Sequence, residues 1–222
     1  MPAKSVPAPR EADIIWLCRR LASALQAEAS ILSALDSAAE EAPSTLAAHL
    51  RIMRQSVRAG RHIYVAFGQL EWPPFVVGMV HNGDIRNAVE AAFTLIADQL
   101  EAEQATPAAK DSGLQAYAVS LARLGVMLEA GIPILTALET AAATDPGSQS
   151  HDVLLAARDP VRCGAELANT LASLAPDLPE MTIDMIRDAE RDGRLGKALP
   201  VIADYLLDAA GEARPRRKKQ EV

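Results

Sequence analysis

The sequence predicts an all-α fold, two tandem six-helix bundles related by internal duplication, and three observations carry that prediction. The chain repeats itself. Ile31-Leu32-Ser33-Ala34-Leu35 returns as Ile134-Leu135-Thr136-Ala137-Leu138, Val57-Arg58-Ala59-Gly60 as Val161-Arg162-Cys163-Gly164, and Ile96-Ala97-Asp98-Gln99-Leu100 as Ile202-Ala203-Asp204-Tyr205-Leu206, at offsets of 103, 104 and 106 residues. A unit of that length is a domain, since solenoid repeats run about 20–50 residues. Composition points the same way: 50% of residues are hydrophobic but only 4% aromatic, so the apolar mass is Ala, Leu, Ile and Val. Small and straight-chain residues favour closely packed helices, and the β-branched or aromatic alternation of strands is missing. Finally, 222 residues accommodate two copies, each long enough to bury a core of its own.

The predicted organisation is a Pro-rich disordered leader over 1–11, a first bundle over 12–103, a polar linker over 104–113, a second bundle over 114–211 and a basic tail over 212–222. In the first copy Asp13 is placed to cap a helix reaching about Ala29, with Ile14, Leu17, Leu21 and Leu25 at helical spacing. Ser30 caps a second helix through Glu41. Pro43-Ser44 opens a third, through Leu46, Leu50, Met53 and Val57, which Gly60 ends. A short fourth helix runs from Ile63 to Gln69. Pro74 starts a fifth, ended or bent at Asn82-Gly83-Asp84, and the sixth runs from Asn87 to Glu103 with Val89, Phe93, Ile96 and Leu100 inward. The second copy carries matching punctuation at Gly131, Pro133, Asp145-Pro146-Gly147, Gly164, Pro176, Pro179 and Asp192-Gly193.

Charge and cysteine content narrow the function classes. The net charge is −7, yet the tail Arg214, Arg216, Arg217, Lys218 and Lys219 against Glu221 is positive by four, leaving −11 for the rest. A body that acidic argues against nucleic-acid binding, whose footprint is a basic face. Cys18 and Cys163 occupy non-equivalent places in the repeat, so a disulfide framework is not expected, and reduced core thiols fit a cytosolic compartment. The leader has no apolar signal region and no stretch is long enough for a membrane span; Phe75 to Val80 is the best run.

Catalytic motifs are not expected. Gly193-Arg194-Leu195-Gly196-Lys197-Ala198 lacks the first glycine and the hydroxyl of a phosphate loop, and no strand precedes it. His49, His62, His81 and His151 are scattered, without metal-ligand spacing, and suit surface or cap roles. The repeat itself picks out the charged candidates. Asp84 and Glu190 are equivalent, as are Asp98 and Asp204, and Arg20 and Arg123. A repeated carboxylate can contact a partner, cap a neighbouring helix or ligate a hard cation such as Ca²⁺. Around Glu190, Asp184, Arg187, Asp188 and Arg191 interleave charges at helical spacing. Asp98 and Asp204 sit among apolar neighbours, where a buried ion pair with Arg20 or Arg123 is expected. The basic tail offers weak attachment to an anionic membrane surface.

The stretch from Leu121 to Leu138 (LARLGVMLEAGIPILTAL) resembles the opening of the F domain in the platform proteins of type II secretion and type IV pilus systems, "L-A-x-L-L-x-A-G-[LIV]-P-[LI]-x-x-A-L". Met185 to Leu199 is similar to the same family's "G-E-x-S-G-x-L-x-x-A-L", with Ala189 in place of the glycine before Glu190. The first copy departs further: Glu28-Ala29-Ser30 stands where the second has Gly131-Ile132-Pro133, and Asn87-Ala88 where it has Gly193-Arg194. The resemblance implies a non-enzymatic, cofactor-free interaction scaffold, a divergent soluble member without the family's transmembrane helices. Its implied partners are the assembly ATPase, inner-membrane platform proteins, or a second copy of itself, and its implied location is the cytoplasm or the inner face of the cytoplasmic membrane. Asp84, Arg86, Glu190, Arg191 and Arg194 are the candidates for the partner interface. A helical adaptor or regulator outside the secretion machinery is the alternative.

Overall fold

A computed structural model of the chain describes residues 6–105 and 113–212. Among these residues every regular element is helical. The first compact unit holds α1 (Glu11–Gln26), α2 (Ile31–Glu41), a 3₁₀ turn at Ser44–Leu46, α3 (Ala47–Arg58), α4 (Ile63–Gly68), α5 (Pro74–Ile85) and α6 (Val89–Ala105). The second holds α7 (Gly113–Glu129), α8 (Ile134–Ala142), α9 (Gln149–Arg162), α10 (Leu167–Leu174), α11 (Glu180–Arg191) and α12 (Leu195–Glu212). Among the described residues no helix is long and apolar enough to cross a membrane.

In the first unit α1 packs against α6, burying Leu17, Cys18 and Leu21 with Phe93, Ile96 and Ala97. The three phenylalanines all lie here. Phe67 meets Trp72 edge-on, ring centroids 4.7 Å apart, and Phe93 at 6.0 Å. The second unit is built on α7 against α12, with Leu121 and Leu124 facing Leu199, Ile202, Ala203 and Leu206. That pair approaches closely because glycines sit at the crossing. A Cβ on Gly196 would lie 2.8 Å from the Glu129 backbone nitrogen, and one on Gly125 would lie 2.9 Å from Leu199 Cβ. Gly196 is therefore a packing residue inside a helix, and the Gly193–Ala198 segment is no phosphate loop.

Several local expectations are corrected. The N-cap position of α1 is Arg10, and Asp13 lies inside the helix. There its buried carboxylate accepts from Arg10 Nε at 2.9 Å and Thr45 Oγ1 at 2.9 Å, so it ties the helix start to the 3₁₀ turn instead of capping. Helix α5 does not stop at Asn82-Gly83 but continues to Ile85. Gly83 lacks a side chain because α6 crosses there: an added Cβ would meet Ala92 Cβ at 2.7 Å. The chain reverses later, at Asn87, with φ 55°. Ser30 caps α2 as expected, accepting from Ser33 N at 3.2 Å. Cys18 is buried, its thiol pushed up by desolvation, but Cys163 stands exposed at the end of α9.

Candidate functional site

The repeated carboxylates of the fifth helix in each unit turn towards the fourth. Helix α10 begins at Leu167, and its first amides have no partner within the helix. Glu190, the last residue but one of α11, supplies it: Oε1 accepts from Leu167 N at 2.7 Å and Oε2 from Ala168 N at 3.0 Å. Both oxygens meet amides at the positive end of the α10 dipole, which makes the pair of bonds charge-assisted. Asp84 near the end of α5 reaches α4 in the equivalent way, accepting from Tyr64 N at 3.4 Å with His62 Nδ1 3.3 Å away. One methylene shorter than Glu190, it makes the longer, single contact. Of the readings open to a repeated carboxylate, the geometry favours a helix cap supplied from a neighbouring helix. No group of three or more metal-ligating side chains occurs among the described residues.

The other interface candidates are exposed. Arg86 occupies the C-cap of α5. Arg191 pairs with Asp188 at 2.7 Å and Arg194 with Asp192 at 2.6 Å, local pairs on an exposed face, as is Arg187 with Asp184. Such pairs leave the arginines open to exchange, because an exposed ion pair is worth only about 0–1 kcal/mol.

The expected buried ion pair takes a different form. Arg20 reaches Glu41 on α2, and Asp98 is bound by Arg19, at 2.6 Å, together with Glu101 at 2.5 Å. One residue is 100° of helix rotation, so the neighbouring arginine, not Arg20, faces α6. The α1–α6 pairing exists, but half-exposed instead of buried. In the second unit Asp204 lies on the exposed side of α12, and Arg123 lines a cleft with Gln115, Ser120, Thr144 and Asp145. Arg214, Arg216, Arg217, Lys218 and Lys219 lie outside the described residues.

Two features escaped the sequence reading. His49 is buried at 1% exposure, its ring edge-on to Trp72 with centroids 5.7 Å apart, so it is a core residue and not a surface or cap histidine. Burial pushes its pKa below the ordinary histidine value, against the opposing pull of the Thr45 and Pro7 carbonyls and of Asp13. The other is a set of exposed apolar side chains on α11 and α12 of the second unit. Met181 is 57% exposed, Val201 61% and Tyr205 39%, and Val201 lines a cleft of about 370 Å³ with Met185, Ala189, Arg194, Lys197 and Ala198. The signal was present in sequence, as an apolar pair four residues apart on the polar side of α12.

Comparison with known proteins agrees with the duplication. The family model described as "Type II secretion system (T2SS), protein F" matches the chain twice, over residues 17–122 and 120–219. The type II secretion system protein F of Pseudomonas aeruginosa is 34% identical over 95 residues, 42% of this chain and 24% of that protein. The type IV pilus assembly protein PilC of Myxococcus xanthus is 32% identical over 90 residues, 40% of this chain and 21% of that protein. The matched stretches thus span about a quarter or less of each relative's length. With the match extending over both units, the chain belongs to the type II secretion system protein F family.

Proposed function

We propose that the chain is a non-catalytic interaction scaffold of the type II secretion or type IV pilus assembly platform, docking other proteins through its helix faces. The observation that carries this reading is the double family match, which covers almost the whole described chain. The site geometry supports it in a specific way. Asp84 and Glu190 are occupied in holding helices, so the docking work falls to the exposed side chains next to them: Arg191 and Arg194 in the second unit, and in the first Arg86, which also donates from Nη1 to the Gly131 carbonyl at 3.1 Å. Its partners are the assembly ATPase and inner-membrane platform proteins of the machinery in which its relatives are named. Its place is the inner face of the cytoplasmic membrane, held peripherally by Arg214, Arg216, Arg217, Lys218 and Lys219.

Capture of the assembly ATPase and of platform proteins by the immobilised full chain tests the reading. Arg191→Glu and Arg194→Glu are expected to weaken capture while leaving the melting temperature unchanged, whereas Glu190→Lys lowers the melting temperature first. Wild-type chain that captures none of these proteins would sink the platform reading and favour the adaptor. The tail is tested separately. At about 1 kcal/mol for each basic side chain near an anionic surface, removal of residues 212–222 should abolish salt-sensitive binding to phosphatidylserine vesicles; unchanged binding refutes the tail's role.

A further inference from the structure

The first unit holds a cleft of about 440 Å³ where several of its helix ends meet. Leu25 near the end of α1, Ile31 at the start of α2, Ile63 at the start of α4 and Val89 at the start of α6 form its apolar wall. Arg61, Asp84, Asn87 and Glu90 line it as well. The divergence of the two copies bears on this place. At the repeat offset of 106, Glu90 corresponds to Gly196. In the second unit that glycine is pressed against α7, where an added Cβ would lie 2.8 Å from the Glu129 nitrogen. A glutamate has no room in such a crossing. In the first unit the Glu90 side chain instead faces the cleft beside Leu25.

Two charges of opposite sign stand on this cleft without meeting. Among the described residues the side chains of Arg61 and Glu90 have no hydrogen-bond or ion-pair partner, and neither has that of Asn87. Other arginines of the chain behave differently: Arg19, Arg20, Arg54 and Arg158 each reach a carboxylate on another helix. Asp84 adds a second carboxylate to the wall, with Oδ2 taken up by the Tyr64 amide. A cation and an anion held apart beside an apolar wall match a ligand that is itself bipolar and carries an apolar group.

We infer that this cleft binds a small zwitterion with an apolar side chain, a free α-amino acid or a short peptide. The ligand's carboxylate meets the Arg61 guanidinium, whose planar fork can donate two parallel hydrogen bonds. Its ammonium goes to Glu90 and Asp84, Asn87 offers an amide to either end, and its side chain covers Leu25, Ile31, Ile63 and Val89. The volume suits such a ligand, since small-molecule sites begin at about 300 Å³. A metal ion is the poorer match, because no group of three or more ligating side chains occurs among the described residues. Binding here belongs to the first unit and goes beyond the scaffold reading, whose protein partners it does not involve.

Titration of the ¹⁵N-labelled full chain with leucine and with leucyl-leucine, followed by amide NMR shifts, is the experiment. Whichever binds more tightly identifies the source, free amino acid or peptide. Shifts are expected around residues 25–31, 60–63 and 84–90, with the second unit unmoved. The amide of the tighter binder lacks the carboxylate and its deamino analogue lacks the ammonium. Each should bind about tenfold more weakly or worse, the effect of losing a charge-assisted contact. Glycine, with both charges and no apolar group, should bind more weakly than leucine. Arg61→Gln should no longer distinguish the parent compound from its amide, while still rejecting the deamino analogue. Glu90→Gln should do the reverse. A general loss of folding would not give that crossed pattern. No shift with either compound, shifts spread over both units, or variants that bind and discriminate as wild type does would overturn the inference.

Discussion

Glu190 and Asp84 show how far a residue can be understood from its position in a repeat. That the two correspond was legible from the alignment of the chain with itself, and so was the short menu of roles for a repeated carboxylate. The choice among those roles was not, because the acceptor's targets are backbone amides 22 and 23 positions away that carry no side-chain signature. The cap predicts an asymmetry between the copies. Glu190→Ala strands two amides at the start of α10 and should cost about 1–2 kcal/mol, the range for losing a helix N-cap. Asp84→Ala removes one long bond and should cost less. Urea denaturation of the two variants measures this, and equal losses would contradict the bidentate geometry. The diverged turn of the first copy makes a second prediction. Glu28 holds φ 60° where its counterpart Gly131 has φ 81°, a conformation costing about 1–2 kcal/mol for a residue with a side chain. Gly would relieve that strain but lose about 0.5–1 kcal/mol in unfolded-state entropy, so Glu28→Gly should stabilise the chain by up to about 1 kcal/mol.

Elements were read from punctuation and periodicity, and the errors fall where neither carries the information. Prolines, capping serine and turn glycines sit at the helix ends because their backbone demands are local, so a sequence displays them. Gly83 misled because a glycine needed for close approach between helices looks the same in sequence as one needed for a turn. The assignment of Arg20 in place of Arg19 was an error of phase. The repeat aligned Arg20 with Arg123, but facing α6 is decided by 100° steps that an alignment drifting by three residues does not resolve. The close crossings turn this distinction into a test. Gly196→Val forces a side chain into the Glu129 backbone, and Gly83→Val into Ala92. Overpacking of that kind costs about 1–3 kcal/mol, against the few tenths expected for Gly→Val at an exposed helical position. Melting temperatures of the two variants should both fall, and a neutral Gly83→Val would restore the reading of that glycine as a mere helix end.

At the scale of the whole molecule, two units with separate cores imply two unfolding transitions, and acid should distinguish them. His49 and Asp13, both held below their ordinary pKa values, belong to the first unit. The imidazole of His49 is buried against Trp72. The unfolded chain therefore takes up the proton first, near the ordinary value of about 6.5. Its contribution is intact above that pH and drains away as pH falls through the folded value. Asp13, stabilised as a carboxylate chiefly by Arg10, adds a second loss that begins only below about pH 4. The chain supplies its own reporter for this effect. Trp16 and Trp72 are its only tryptophans, and both lie in the first unit, so their fluorescence follows that unit while helical circular dichroism follows both. Between about pH 7.5 and 5 the fluorescence-detected melting temperature should drop, and His49→Leu, which keeps an apolar side chain against Trp72, should flatten that dependence. Fluorescence and dichroism that shift together by the same amount would mean that the two units unfold as one cooperative body. A His49→Leu chain as acid-sensitive as wild type would move the sensitivity to some other group.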